Sequence, residues 1–156
     1  MNNYEKLLDI AEKENISVYE NYDFSNTRID GLYCDGSIAL SKDLETEAEK
    51  KCVMQEELGH HYTSHGNIID HHDVSNRKQE HRARVWAYRN AIGLPDIISA
   101  YKHGCRNRFE IAEHLNLTES FLLGAIEDYK AQYGLCTRVD NYVVYFEPLG
   151  VLELNI

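Results

Sequence analysis

No run of apolar residues in this chain approaches the ~20 needed to cross a bilayer as a helix, which excludes a helical membrane anchor. Proline is nearly absent, with two in 156 residues, and the nine glycines are scattered. Without a low-complexity tract, linker or repeat, nothing divides the chain, and one domain over residues 1–156 is expected. The opening Met1-Asn2-Asn3-Tyr4-Glu5-Lys6 lacks the basic-then-apolar layout of a signal peptide. The four cysteines stand far apart and form no C-x-x-C pair. Reduced thiols and a cytosolic, bacterial or phage-encoded protein follow as expectations. Basic side chains are also scarce. Sixteen of them against 26 acidic ones give a formal charge of -10, a surface that repels a phosphate backbone, so no nucleic-acid partner is expected.

What the chain does have is histidine. Most of its eight histidines bunch between His60 and His81, close to Glu56, Glu57 and Glu80. Apolar content of 43% and charged content of 27% suit a globular protein with a core. Apolar periodicity predicts a helix from Tyr4 to Asn15 and a short strand at Ile16–Tyr19, with Asn21 to Asn26 rich in turn residues. The Asp35-Gly36 turn between apolar runs predicts a hairpin over Gly31–Leu40. Thr46 is a fitting N-cap for a helix reaching about Thr63, with Glu47 and Glu49 in its first turn. Ser64 to Asn76 reads as a polar loop. A second long helix is expected from about Arg77 to Ile92, closed by Gly93 and Pro95. Further helices follow over Pro95–Lys102, Arg108–Leu115 and Thr118–Tyr133, with Gly134 as C-cap. Strand-like runs end the chain, with Asp140-Asn141 as a turn between two of them. The expected class is α+β, with small antiparallel hairpins.

A metallohydrolase needs two ligands on one helix face, a carboxylate beside them to take a proton from water, and a third ligand from elsewhere. Helical residues four apart differ by about 40° in direction and converge on one point. Glu56-Glu57-Leu58-Gly59-His60 has the H-E-x-x-H layout with Glu in place of the first His. Glu56 and His60 are then the pair and Glu57 the base. The alternative register, Glu57 with His61, puts Leu58 where the base belongs. His61 and His65 are also four apart and are candidates to line the same cleft. Two adjacent glutamates alone would read as solvated helix charges; the His-rich context argues against that.

The run resembles the H-E-L-G-H of the ImmA/IrrE metallo-endopeptidases, found in phages, integrative elements and bacteria. Glu80-x-x-Ala83-x-x-Trp86-Ala87 followed by Leu94-Pro95 is similar to that family's second helix and its Leu-Pro stop. The hairpin before the motif helix matches the family's order of elements. The resemblance spans roughly residues 1–100, the motif-bearing core, and leaves a helix pair and the C-terminal strands over 101–156. It implies a zincin-like helix with His60 as ligand, Glu57 as general base, Glu80 as third ligand and Glu56 in the first-ligand position. It also implies zinc as cofactor, a peptide bond as substrate, and a repressor or other helix-turn-helix regulator as protein partner. Two carboxylate ligands nearly cancel the metal's charge and harden the site, which makes Mn or another oxygen-preferring ion acceptable beside Zn. A non-catalytic regulator that keeps the fold and acts by binding is the alternative.

Tyr62, His61 and His65 are candidates for an oxyanion donor, although each more often packs or supports a ligand. His71, His72 and Asp73 read as a solvated loop. Ile111 to Ile126 resembles a helix-turn-helix. Its second helix offers Glu119, Glu127 and Asp128, with no Arg before Lys130, so a structural helix pair is expected there. Arg106-Asn107-Arg108 is the only basic spot. Tyr142, Tyr145 and Phe146 are expected to pack against the helices.

Overall fold

The computed structural model describes residues 3–25, 28–64 and 73–155. Two compact units emerge, Met1–Ala87 and Tyr88–Ile156. The class is α+β, with helices and two three-stranded sheets. Among the described residues no helix is long and apolar enough to cross a membrane, and no disulfide joins any of the four cysteines.

In the first unit, helix α1 spans Asn3–Lys13 and buries Tyr4, Leu7 and Ala11. It stops because Asn15 takes a left-handed conformation (φ 58°), in which Asn is among the few tolerated side chains. The Ile16 N–H then returns to the Ala11 carbonyl at 2.8 Å, closing the orphaned end. Strand β1 (Ser17–Tyr22) runs parallel to β3 (Ser37–Ser41), while β2 (Gly31–Cys34) pairs antiparallel to β3 on its other side. The hairpin expected at Asp35-Gly36 is therefore present, and β1 adds a third strand to it. β1 is longer than the short strand anticipated. The turn signal at Asn21 appears as a register shift between Tyr19 and Tyr22, with Asn21 at φ 58°, so the residue bends the strand instead of ending it.

Helix α2 (Glu47–Thr63) starts on Thr46, whose hydroxyl accepts from the Glu49 N–H at 3.1 Å. It packs on the sheet and on α1. Ile38, Leu40, Met54 and Leu58 meet at the centre of this unit with almost no exposure. Helix α3 (Asp73–Ala91) begins earlier than the expected Arg77, so residues 73–76, read as loop, are helical. His65, His71 and His72 lie outside the described residues.

The second unit contains α4 (Leu94–Lys102), α5 (Arg108–Leu115) and α6 (Glu119–Tyr133). The Asp96 carboxylate accepts from the Gly93 N–H at 2.7 Å, so Gly93 opens α4 as well as following α3. Left-handed Asn116 (φ 54°) turns α5 into α6, and Thr118 caps α6. Arg106 donates to the Tyr101 and Cys105 carbonyls, and Arg108 pairs with Glu119 at 2.9 Å. These contacts occupy both arginines of the basic spot locally. Strands β4 (Cys136–Val139), β5 (Tyr142–Phe146) and β6 (Leu149–Glu153) form an antiparallel sheet. Phe146 is buried and stacks on Tyr129 with ring centroids 5.9 Å apart. Tyr142 lies under the Lys102 ammonium at 4.9 Å. Tyr145 does not pack as expected: it is 37% exposed, because alternation along β5 turns it to the face opposite Val144 and Phe146.

Gly59 makes the one backbone approach that positions the site. A Cβ there would collide with the carbonyl of Ala83, which is itself buried. α2 and α3 thus meet backbone to backbone, with no room for a methyl group. Gly59→Ala is expected to lower the denaturation midpoint by the equivalent of about 1–3 kcal/mol. Chemical denaturation checks this, and an unchanged midpoint would mean the two helices are not held so closely.

Candidate active site

A cleft of about 1050 Å³ lies in the first unit, lined by Gly31, Tyr33, Glu56, Glu57, His60 and Glu80 among others. All four residues singled out from the motif and the second helix therefore share one cavity. α2 contributes Glu56, Glu57 and His60, one helical turn containing the motif, and α3 contributes Glu80. Strand β2 forms the facing wall. Gly31 has no side chain for a reason: a Cβ would strike Val53 and crowd the Glu57 carboxylate.

His60 Nε2 stands 3.4 Å from Glu80 Oε1, so imidazole and carboxylate from different helices converge. Glu57 is the buried member, 8% exposed. Burial, then repulsion from Glu56 and Glu80, pushes its carboxyl up to about 8, partly offset by a hydrogen bond donated from the Tyr33 backbone N–H. Burial likewise raises Glu56; the Arg84 guanidinium opposes that rise, while Glu80 and Asp30 add to it. A cleft walled by carboxylates that repel one another favours a cation.

Among the described residues no three His, Cys, Asp or Glu side chains are gathered tightly enough to enclose a metal ion. The donor chemistry nevertheless suits one. An imidazole nitrogen and a carboxylate oxygen already face each other, and a second carboxylate, Glu56, lines the same cavity.

His61 belongs to a different set of contacts. Its Nδ1 is 2.9 Å from the Tyr33 hydroxyl and its Nε2 is 3.5 Å from Glu14. The pairing of Glu57 with His61 is thus not the one the structure assembles. Tyr62 stacks on Trp86 with ring centroids 4.9 Å apart and a 21° tilt, a packing role. Burial and Glu14 raise its hydroxyl pKa. Sequence reasoning missed Tyr33 and Arg84. The signal for Tyr33 was its spacing from Gly31 on the strand before the motif. For Arg84 it was the four-residue step from Glu80.

Helix-borne His and Glu beside a buried carboxylate define a hydrolase-type cleft of the metallopeptidase class. The chain matches the family model described as the IrrE N-terminal-like domain, peptidase M78, over residues 11–127, and it belongs to that family. The match extends past the motif-bearing core through α4 and α5 and into α6. No curated protein and no solved structure matches the chain.

The raised Glu57 carboxyl has a consequence for stability. Between its ordinary value of 4.5 and about 8, the folded metal-free protein holds one more proton than the unfolded chain. Stability therefore falls as pH rises through that window. In chelator-treated protein, Glu57→Gln is expected to flatten this decline and to be more stable than wild type at pH 8 by at least ~1 kcal/mol. Denaturation midpoints measured at pH 5 and pH 8 check this; parallel declines in the two proteins would refute it.

Proposed function

We propose that this protein is a metal-dependent endopeptidase of the ImmA/IrrE type, acting on a repressor or another helix-turn-helix regulator. The observation that carries this reading is the shared cleft. In a chain of the peptidase M78 family, His60 and Glu80 meet across two helices beside a buried Glu57.

In this reading His60 and Glu80 would hold the metal, with Glu56 as the remaining protein ligand. A zinc or manganese ion held there would supply Lewis acidity toward a peptide carbonyl and a water molecule. Glu57 takes the proton from that attacking water and passes it to the departing amine. A carboxyl raised toward neutrality suits both steps, because a catalytic pKa near the working pH serves acid and base equally. Tyr33, through its N–H, holds the Glu57 carboxylate against β2, so the base keeps its position while its proton comes and goes. In this reading the protein works in the cytosol of a bacterium or a phage host, where such regulators are found.

A second reading is favoured by one departure from the motif. Glu56 stands where the family pattern has His, and no three-donor group is assembled among the described residues. A protein that keeps the cleft but acts by binding its regulator would fit that departure.

Elemental analysis of untagged protein separates the two. The enzyme reading expects about one equivalent of zinc or manganese in wild type and its loss in His60→Ala. Glu57→Gln should keep the metal and lose cleavage by at least ~100-fold, and Glu56→His should raise activity. Metal-free wild type, or undiminished cleavage by Glu57→Gln, would sink it and leave the binding reading.

A further inference from the structure

Basic side chains are scarce in this chain, and the fold does not spread them evenly. Helix α3 holds five of the sixteen, Arg77, Lys78, Arg82, Arg84 and Arg89, against Asp73 and Glu80, a net of +3 in a chain of -10. The basic spot expected from the sequence, Arg106-Asn107-Arg108, is engaged locally through its two arginines. Within α3, Arg89 is held by Asp128 and Gln132, and the charge of Arg84 acts on Glu56. Arg77, Lys78 and Arg82 are exposed, and among the described residues no ion pair takes up any of them.

These three share a face. With the exposed His81 they line one shallow depression of about 440 Å³. At about 100° per residue, positions 77, 78, 81 and 82 fall within roughly 140° of the helix circumference. Gln79 and Glu80 fall on the opposite side, where they line the cleft. Lys78 and Arg82 stand one turn apart with the same charge, an arrangement that destabilises a helix, whereas a Glu at position 78 would stabilise it. The cluster therefore works against the helix that carries it, and an anionic occupant would relieve it.

Charge and size select that occupant. The four positions span about 8 Å along the axis at 1.5 Å per residue. An extended peptide advances roughly 3.3 Å per residue, so two or three carboxylates cover the face, and guanidinium groups pair with carboxylates through two parallel hydrogen bonds. A nucleic-acid duplex carries a charge every ~1.7 Å along its whole length, and beyond the patch it would lie on a surface that is net acidic outside α3. We propose that the outer face of α3, at Arg77, Lys78, His81 and Arg82, is a docking site for an acidic segment of a protein partner, separate from the cleft on the inner side of the same helix. The site needs neither a metal nor cleavage: it serves an enzyme that gathers its substrate there and a regulator that only binds.

The test is fluorescence anisotropy of a rhodamine-labelled hexaglutamate peptide, titrated with chelator-treated full-length protein at low ionic strength. Wild type is expected to bind the peptide, with affinity falling as salt approaches about 0.15 M. Arg77→Gln combined with Arg82→Gln should weaken binding roughly three- to tenfold, the range for two exposed ion pairs. Lys6→Gln combined with Lys13→Gln removes the same charge from exposed positions of α1 and should leave binding unchanged. Absence of binding by wild type would overturn the proposal. So would equal losses in the two double variants, which would mean that net charge alone governs binding, or equal affinity for a hexaglutamine peptide. A labelled oligothymidine bound more tightly than hexaglutamate, and weakened by the same α3 substitutions, would overturn it in favour of a nucleic-acid site. Thermal midpoints show that each variant is folded. Because no metal is present at any stage, the outcome is independent of whether the cleft takes up zinc.

Discussion

The contact of Gly59 with the backbone of Ala83 is the constraint on which the cleft depends. Two helices that meet through side chains stand 8–10 Å apart at their axes; removing a Cβ at the crossing lets them come closer. Short side chains then suffice to meet across the gap, and His60 reaches Glu80 without a bridging element. The glycine in the motif thus serves the second helix, not the first. Gly31 has the parallel task on the other side, where a side chain would intrude on Val53 and Glu57. α2 is gripped between a strand and a helix, each admitted by the loss of one Cβ.

Concentrating carboxylates in that gap costs stability in the metal-free protein. Burial raises the affinity of Glu56 and Glu57 for protons; Glu80 adds to it in both, and Glu56 adds to it in Glu57. The fold offsets part of this with the Tyr33 N–H at Glu57 and the Arg84 guanidinium at Glu56. Sites with unfavourable local electrostatics are common where function demands them. Here the hydrophobic cluster around Ile38, Met54 and Leu58, directly beneath α2, supplies the compensating apolar burial.

Much of this was legible from the residues. Helix α2 carries a strong N-cap in Thr46 and a motif with fixed spacing, and Asp35-Gly36 announces its hairpin without ambiguity. The resemblance to the family was read from that same run of residues and from the second helix, and the family match covers both within residues 11–127. What could not be read is what depends on distant pairing. β1 joins β3 in parallel from far along the chain, and a turn residue, Asn21, sits inside a strand because neighbouring strands hold it there. The start of α3 at Asp73 was hidden by a polar composition that suits a loop equally well. His61 looked like a companion of His60, yet consecutive helical residues diverge by about 100°, and His61 is turned to Tyr33 and Glu14. Arg84, whose charge acts on Glu56 from the second helix, had no motif to mark it.

Trp86 is the chain's single tryptophan, and it stacks on Tyr62. The indole belongs to the helix that carries Glu80, and the phenol to the helix that carries His60. The protein therefore contains an intrinsic fluorophore whose stacking partner is displaced if those two helices shift against each other. Any occupant of the cleft that draws them together or pries them apart is visible in the near-ultraviolet without a label, and without knowing what the protein acts upon.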